Sequence, residues 1–315
     1  MNIKTLLFLT FFLFVSTNVS AETYNIFVDI NNSGTEDGTE ANPFNTIEEA
    51  IALAKNNDAE NRKIYVSNGE YAEKINLTDN IELYGENKNN AIINGDGFST
   101  VVTMDNKTIL KNIKIYKGKI GISVEKNSKV EISKVKIQKT EKIGINIEES
   151  SKKRVVTIKD CTISDNDGKG IYIKKSNYAK IYDNEIYDNE EEGIDVRSSA
   201  KGSIKSNEIY KNGEGGVELI VERSKIDINK NKIYKNSSSG IELQAYKGGL
   251  SSLSNSYITK NKLSSNKQFG IDCSTPSDLT SDKPVLWSQS VNPKGNTILD
   301  NKLGIFATRC KFIAY

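Results

Sequence analysis

Residues 179–196 read AKIYDNEIYDNEEEGIDV, residues 202–219 read GSIKSNEIYKNGEGGVEL, and residues 225–243 read KIDINKNKIYKNSSSGIEL. These are three copies of one unit, and the glycine before the last apolar segment of each copy recurs at intervals of 23 and 24 residues. Self-similarity at such a period is typical of solenoids, in which each repeat forms one coil. The sequence therefore predicts a stack of equivalent coils.

The pattern inside each copy indicates which kind of solenoid it forms. Short alternations of apolar and polar residues, such as Ile194-Asp195-Val196, indicate half-buried strands. Asn and Gly lie between the alternations, where the chain has to turn. Three short strands in each copy fit one coil of a parallel β-helix. In this all-β fold, equivalent residues of successive coils stack about 4.8 Å apart and form ladders.

The first residues have the pattern of an export signal. Lys4 is the charged start, residues 6–15 are an apolar run, and residues 19–21 are a small-residue cleavage site. The apolar run is too short to span a bilayer. We therefore predict a signal peptide over residues 1–21 and a secreted, periplasmic or cell-surface location.

Residues 22–63 are predicted to form a strand, a polar loop and a helix that covers the open end of the solenoid. A β-helix needs such a cover, because an exposed end coil leaves core and backbone groups unprotected. Asn45 can cap the helix, with Glu48 three residues later as in a capping box. This pattern predicts a helix over residues 45–55.

The next stretch, residues 64–97, reads IYVSNGEYAEKINLTDNIELYGENKNNAIINGDG. Together with the preceding strand, Asp/Gly-rich loop, Pro-Phe pair and helix, it resembles the first coils of the pectin-lyase-like right-handed β-helix proteins. The resemblance covers nearly the whole mature chain. It implies one right-handed parallel β-helix over residues 64–315. Residues 274–294 contain three prolines and interrupt the regular spacing of the coils, so they are predicted to form a loop insertion. The resemblance implies no single activity, because this superfamily includes lyases, hydrolases, esterases, epimerases and non-enzymes.

Composition excludes several kinds of site. The chain has 43 Lys and Arg against 41 Asp and Glu, so its net charge identifies no partner. It has no histidine, which excludes a Ser-His-Asp triad, a Cys-His dyad and the usual zinc sites. Its three cysteines, Cys161, Cys273 and Cys310, do not make a disulfide framework. Export would allow a Cys273–Cys310 bridge.

Several residue types recur at equivalent positions of successive copies. One asparagine ladder is Asn184, Asn207, Asn231, Asn261 and Asn296, and another is Asn166, Asn189, Asn212, Asn236, Asn266 and Asn301. Stacked amides hydrogen-bond from coil to coil, and Asn also tolerates the left-handed conformation of tight turns. We interpret both ladders as structural. A tyrosine ladder, Tyr187, Tyr210 and Tyr234, either fills a flat face or binds sugar rings.

A line of acids follows the repeated glycines. The residue between the two inward-facing positions of that strand is Asp195, Glu218, Glu242 and Asp272 in four successive coils. The last coil places Phe306 at the same position. We expect the line on an exposed sheet, with Lys174 and Arg197 in the neighbouring outward row. A solvated strand face is one interpretation. A cation site or a catalytic carboxylate cluster is the other, because acids on adjacent coils can supply the oxygen ligands that calcium takes.

A second resemblance concerns Glu191-Glu192-Gly193-Ile194-Asp195. Two adjacent acids, two spacers and a third acid, with an Asp one coil earlier, resemble the calcium cluster of family 9 polysaccharide lyases. In that family a lysine removes the substrate's α-proton. The resemblance implies calcium ligands at Asp167, Glu191, Glu192 and Asp195. Glu replaces Asp at two of these positions, and no lysine matches the family's base, so Lys174 and Arg197 are the candidates near that surface.

We therefore predict a protein that binds or cleaves an acidic polysaccharide, with calcium-dependent, pectate-type β-elimination as the favoured chemistry. Substrate contacts are expected from Glu218, Glu242, Asp272 and Trp287. One alternative is a glycoside hydrolase that uses paired carboxylates as acid and base. Another is a non-catalytic cell-envelope or adhesion protein. We expect a monomer with a polysaccharide partner, without a nucleic-acid partner and without a membrane span.

Overall fold

The computed structural model describes residues 23–58, 62–245, 256–274, 291–307 and 310. These residues form a single-stranded parallel β-helix with one short helix near its start, as the repeat pattern predicts. The predicted signal peptide lies outside the described residues. In the described part of the chain, no helix is long and apolar enough to cross a membrane.

The solenoid has three parallel sheets, whose strands are numbered in chain order. Sheet A consists of β1 (Ile26–Val28), β2 (Lys63–Val66), β5 (Glu82–Gly85), β8 (Thr108–Lys111), β11 (Val130–Ser133), β14 (Val155–Lys159), β17 (Tyr178–Tyr182), β20 (Lys201–Lys205), β23 (Lys225–Asn229), β26 (Ser256–Thr259) and β29 (Val291–Lys294). Sheet B consists of β3 (Gly69–Tyr71), β6 (Ala91–Asn94), β9 (Lys114–Tyr116), β12 (Lys136–Gln138), β15 (Thr162–Ser164), β18 (Glu185–Tyr187), β21 (Glu208–Tyr210), β24 (Lys232–Tyr234), β27 (Lys262–Ser264) and β30 (Thr297–Leu299). Sheet C consists of β4 (Ile75–Leu77), β7 (Thr100–Met104), β10 (Ile120–Val124), β13 (Ile143–Ile147), β16 (Lys169–Ile173), β19 (Ile194–Val196), β22 (Val217–Ile220), β25 (Ile241–Gln244), β28 (Phe269–Ser274) and β31 (Gly304–Phe306).

The core is a set of aliphatic columns along the axis of the solenoid. In sheet C, Ile194, Val217, Ile241 and Ile271 pair in register from β19 to β28, and all four are fully buried. The apolar residues of the alternation therefore point into the core, as the sequence predicts. The repeated glycines lie where coils approach closely. A Cβ atom on Gly193 would lie 2.6 Å from Ile209 Cγ2 and 2.8 Å from the carbonyl oxygen of Gly216, so no larger residue fits there.

Both asparagine ladders are buried hydrogen-bonded stacks, as the sequence predicts. The Nδ2 atom of Asn184 donates to Asn207 Oδ1 at 2.9 Å and to the carbonyl oxygen of Ile158 at 3.0 Å. The left-handed residue is the one before each asparagine, for example Asp183 with φ 57° and Ser206 with φ 56°. The expectation that asparagine itself adopts this conformation was wrong. The amide has to point inward to join the ladder, and its neighbour makes the turn.

The capping helix, α1 (Ile47–Asn56), has its N-cap one residue later than predicted. Thr46 is the N-cap and Glu49 completes the capping box, in place of Asn45 and Glu48. The amide of Asn45 instead bonds the carboxylate of Glu36 in the preceding loop. The buried face of the helix consists of Ile47, Ala50, Ile51 and Ala54, which belong to the same core as the coils.

The C-terminal end differs from a regular coil in two ways. A disulfide joins Cys273 to Cys310 and so confirms the bridge that export would allow. Phe306 pairs with the inward-facing Ile271, so the prediction that it occupies the position of the acids in the last coil was wrong by one residue of register. In the predicted insertion, residues 291–294 are strand β29 of sheet A, and residues 275–290 lie outside the described part of the chain.

Candidate functional site

The predicted line of acids is a true column of sheet C. Tyr172, Asp195, Glu218, Glu242 and Asp272 are partners in register on successive strands. The expectation that this column is exposed was wrong: Asp195 is 0% exposed and Glu218 is 6% exposed. Two basic side chains make the difference, because each of them bonds acids of the column.

Lys169 is the first of these cations. Its Nζ atom lies 3.1 Å from Asp195 Oδ2 and 3.0 Å from Glu191 Oε2, and it also bonds Glu192 Oε2. Burial would lower the pKa of Lys169, but the hydrogen bond and charge of Glu192 and the charge of Asp195 raise it above its usual value. The ammonium group therefore stays protonated at the point where three carboxylates converge.

Arg197 is the second cation, at the end of β19. Its guanidinium lies 2.6 Å from Asp195 Oδ2 and 3.3 Å from Glu218 Oε1, and its central carbon lies 5.5 Å from the centre of the Tyr172 ring. Burial opposes the charge, but Asp195 and Glu218 raise the pKa of Arg197. The residue therefore holds two acids of adjacent coils and rests on an aromatic ring.

Two carboxyl groups have pKa values near neutrality. Burial, and then the charges of Asp195 and Glu192, raises the pKa of Glu218 to about 7. Partial burial and a hydrogen bond to Glu192 raise the pKa of Glu214 to about 7. Burial would also raise the pKa of Glu192, but Lys169 lowers it. Environments that push the pKa values of neighbouring acids apart are typical of acid–base sites.

These side chains form one unit, which we name the sheet C cluster. Its members are Lys169, Glu191, Glu192, Asp195, Arg197, Glu214 and Glu218. Gln244 borders it and donates to Glu218 Oε2 at 2.5 Å. Glu242, the next acid of the column, accepts a hydrogen bond from the backbone N–H of Ser239 at 3.2 Å, and burial raises its pKa.

The structure does not bring all predicted site residues together. Asp167 is exposed, and its side chain makes none of the described contacts of the cluster. Lys174 bonds Glu148 at 2.7 Å, on the side of the row away from Arg197. Asp272 accepts a hydrogen bond from the backbone of the next residue at 2.7 Å. Trp287 lies outside the described residues.

Sequence reasoning missed Lys169 and Glu214. Lys169 comes directly before Gly170, just as Glu192 comes directly before the equivalent Gly193 in the next coil. The backbone N–H of Gly170 donates to the carbonyl oxygen of Glu192, so the two coils are in contact at this point. Glu214 lies one coil after Glu191, and the backbone N–H of Glu214 donates to the carbonyl oxygen of Glu191. Both positions could have been found by extending the ladder analysis from the strand to the residues before each glycine.

Three acids of the cluster have the geometry of cation ligands. Glu192, Asp195 and Glu218 each offer one carboxylate oxygen, and these oxygens lie within 4.8 Å of one another. Asp195 Oδ1 is buried and has no hydrogen-bond partner among the described residues. Carboxylates are the ligands that hard cations prefer. Lys169 Nζ, however, already contacts two of the three residues.

The tyrosine ladder lies on sheet B, away from the cluster. The ring centres of Tyr187, Tyr210 and Tyr234 are 4.9 and 5.0 Å apart, and the rings are nearly parallel. The Tyr210 hydroxyl donates to Glu185 and the Tyr234 hydroxyl to Glu208. Stacked rings cover each other's faces, so Tyr210 has no open face for a sugar. This geometry favours the structural interpretation.

The sequence profile of the family described as right-handed β-helix region matches residues 49–177 and, in an overlapping match, residues 93–256. The chain belongs to the right-handed β-helix family. Membership confirms the predicted fold class, including the hand of the coil, and it agrees with the resemblance to pectin-lyase-like proteins. The comparison with curated protein sequences finds no significant match.

Solved structures share this right-handed β-helix. Pectate lyase Pel9A is 14% identical with a TM-score of 0.58, and the match covers 87% of this chain and 78% of that one. The enzymatically active domain of tailspike protein 2 from bacteriophage CBA120 is 12% identical with a TM-score of 0.55, and the match covers 80% of this chain. The match spans 41% of the tailspike chain. At this identity the likeness is one of fold.

Proposed function

We propose that this protein binds an acidic polysaccharide on the face of sheet C, at the sheet C cluster. The observation that supports the proposal is the layering of charge. The side chains of Lys169 and Arg197 are 17% and 25% exposed, whereas Asp195 beneath them is fully buried. A carboxylate that approaches above Asp195 meets an ammonium and a guanidinium group first. Two other acids of the cluster also reach the surface, Glu191, which is 46% exposed and paired with Lys169, and Glu214.

The same residues suit the chemistry of a uronate polymer. A guanidinium group can pair with a carboxylate through two hydrogen bonds. Neutralising a uronate carboxylate acidifies the adjacent C–H bond, which is the first requirement of β-elimination. Glu214 is exposed and has a pKa of about 7, so it is suited to proton transfer near neutral pH. Pectate, in the name of Pel9A, is an acidic polysaccharide, and we extend that substrate class to this chain.

These roles differ from those that the sequence suggested. Arg197, with a raised pKa and two acid partners, is suited to binding rather than to taking a proton. Lys174 remains a predicted catalytic residue, although its ammonium group is paired with Glu148. We propose Glu214 as the proton-transfer group. Glu192, which hydrogen-bonds Glu214, would position it.

One assay separates the three candidate functions. Incubation with polygalacturonate or alginate should give bound polymer and, for a lyase, the ultraviolet absorbance of an unsaturated product. New reducing ends without that absorbance would indicate the hydrolase. Binding with neither signal would indicate a non-catalytic polysaccharide-binding protein, and failure to bind any acidic polymer would contradict the proposal and favour the structural rod.

Variants assign the roles in that assay. Arg197→Gln should weaken binding about tenfold or more, because it removes a charge-assisted pair. Glu214→Gln should keep binding and lose turnover. In the binding measurement Lys174→Gln, one coil away in the same row, is the matched control for loss of a cation. In the turnover measurement it tests the catalytic role predicted from the sequence. If Lys174→Gln abolished turnover while Glu214→Gln did not, the catalytic role predicted from the sequence would be the better assignment.

Calcium stays a prediction for this site, and Lys169 argues against it. The three converging carboxylates suit a divalent cation by distance, but the ammonium group already bonds two of them. With Lys169 in place the residues do not fit calcium. We propose instead that Lys169 supplies the positive charge at this point and that the site works without a metal.

Thermal melting with and without millimolar calcium tests this proposal. A ligand that binds only the folded state raises the melting midpoint. We expect no shift for the wild-type protein and an upward shift for Lys169→Met, in which the acids are released. Lys159→Met, which breaks a comparable ion pair with Glu131 on sheet A, is the matched control. A calcium shift in the wild type that Asp195→Asn removes would establish the calcium site instead.

A further inference from the structure

A pocket of about 420 Å³ lies beside the turns that lead from sheet C to sheet A. Its lining comes from four successive coils, in the segments that follow β13, β16, β19 and β22. Four of the lining residues are basic, namely Lys152, Lys153, Lys201 and Arg223. We name it the basic turn pocket.

The charge of this pocket is unusual for the chain. The whole sequence is nearly balanced, with 43 basic and 41 acidic residues, yet no acid is among the residues that line the pocket. None of its four cations forms an ion pair with an acid of the described chain. The other lining side chains are four serines, Asn177 and Tyr178. The hydroxyls of Ser150 and Ser151 already donate within the turn, to the carbonyl oxygen of Lys152 and to Asn127 Oδ1, so the serine donors for a ligand are Ser176 and Ser199. Cations with hydroxyl donors around them are suited to anionic oxygen ligands.

Local hydrogen bonds hold the turns that form the pocket. Asn127 Oδ1 accepts from the backbone N–H groups of Ser151 and Lys152, at 2.9 Å each. The buried amide of Asn177 donates to the carbonyl oxygens of Glu148 at 2.8 Å and Lys174 at 2.9 Å. The backbone on which the cations are mounted is therefore ordered before any ligand arrives.

The pocket is close to the sheet C cluster along the chain. Arg197 begins the turn that contains Ser199 and leads to Lys201, the first residue of β20, and both of these residues line the pocket. The pocket also extends along the solenoid axis, because its lining comes from four coils about 4.8 Å apart. The cluster and the pocket span the same coils, those of β16, β19 and β22, so a polymer that lies along the solenoid axis on sheet C passes both.

We infer that the basic turn pocket is a second binding site, which holds anionic groups of the polysaccharide chain that the sheet C cluster receives. The inference rests on the proposed function for the substrate class, and its own evidence is the unpaired charge of the pocket. It assigns selectivity for charged over neutral polymers to Lys152, Lys201 and Arg223.

The test measures binding of the full chain to polygalacturonate and to the same polymer with its carboxylates methyl-esterified. The triple variant Lys152→Gln, Lys201→Gln, Arg223→Gln should bind polygalacturonate about tenfold more weakly, because each exposed pair contributes modestly. It should also lose most of the salt dependence of binding. The esterified polymer should bind weakly to both proteins.

The matched control removes three lysines from another groove. A cavity of about 500 Å³ on sheet A is lined by Lys205, Lys230 and Lys260 together with Asp227. The triple Gln variant of those lysines has the same net charge as the test variant, and its affinity should stay within about twofold of the wild type.

The possible failures are distinguishable. If the pocket variant binds like the wild type while Arg197→Gln binds weakly, the second site is wrong and the proposed function stands. If no charged polymer binds the wild type, both are wrong. If a single-stranded DNA oligomer binds as tightly as polygalacturonate and depends on the same three residues, the pocket is a general polyanion site and its assignment to a polysaccharide is overturned.

Discussion

The asparagine ladders and the acid column are built on the same principle and have opposite consequences. Each repeats one kind of polar side chain from coil to coil, and the asparagines from Asn184 to Asn261 and the acids Asp195 and Glu218 are buried. In the ladder that contains Asn207, every amide both donates and accepts along the stack. A carboxylate column cannot do this, because ionised carboxylates only accept hydrogen bonds.

This difference explains why the column has charged partners, whereas the ladder amides bond one another and nearby backbone carbonyl oxygens. The acids of sheet C bond Lys169 and Arg197, and Glu218 has a pKa near neutrality. In the amide stacks, the hydrogen-bonding groups of each side chain are used by the next amide and by backbone groups of the stack. A ladder whose amides both donate and accept hydrogen bonds has a structural role. A column that needs cations and protons from elsewhere is responsive to pH and to charged ligands.

The largest expected effect comes from breaking an amide ladder. Asn207→Leu should lower the free energy of unfolding by at least about 3 kcal/mol, since the buried backbone N–H and the Nδ2 group of Asn184 lose the oxygen they share. Denaturant unfolding followed by circular dichroism measures it.

Asn229→Leu is the matched control, because that amide is half-buried on sheet A and makes one hydrogen bond, to Thr259. Equal losses in the two variants would mean that the ladder is no more important than a surface amide.

The second prediction tests the register that places the acids outside the core. Ile241 is fully buried beside Glu242 on the same strand. Ile241→Ala should cost about 2–5 kcal/mol, from lost burial and the cavity that remains. A change within about half a kcal/mol would mean that the two faces of the strand are exchanged, because a slip of one residue reverses them.

The smallest effect is a pH dependence that the acid column should have and the amide ladders cannot have. Burial raises the pKa of Glu218 from 4.5 to about 7, so the folded state binds its proton more tightly than the unfolded chain does. The stability from this group is complete below the unfolded pKa and is lost as pH rises through the folded pKa. Between about pH 5 and about pH 8 the loss should be about 1–2 kcal/mol.

Glu218→Gln cannot titrate, so its stability should decline less over the same pH range than that of the wild type. Glu131→Gln, which removes a more exposed carboxylate from sheet A, controls for the lost charge. Thermal melting across pH measures all three proteins. Parallel curves for wild type and Glu218→Gln would show that the column does not respond to protons.

Much of this molecule follows from periodicity. The repeats predicted the coils, the buried column through Ile241, the amide ladders and the line from Asp195 to Asp272, since stacking places equivalent residues in contact. The capping helix was predicted to within one residue, because Asn45 and Thr46 are both good N-caps and only the loop contact to Glu36 separates them.

The site itself was predicted only in part. The repeats placed Asp195 and Glu218 at equivalent positions of adjacent coils, and the motif at residues 191–195 added Glu191 and Glu192. They did not identify Lys169, whose long side chain crosses from the previous coil, or the burial that follows from its contacts. A long side chain pairs with whichever charged group lies within reach, and the pattern of one strand does not show which groups of a neighbouring coil lie within reach.

The sequence by itself determined the architecture of this protein, because a solenoid repeats local choices and each coil needs only its neighbours. The tertiary structure alone decided the electrostatics. It placed Lys169 among three carboxylates, set Arg197 over Tyr172 and gathered four unpaired cations from three coils into the basic turn pocket. Burial and charge act through space, so the pKa values and the accessible charge of a site depend on every nearby group, whichever coil it comes from.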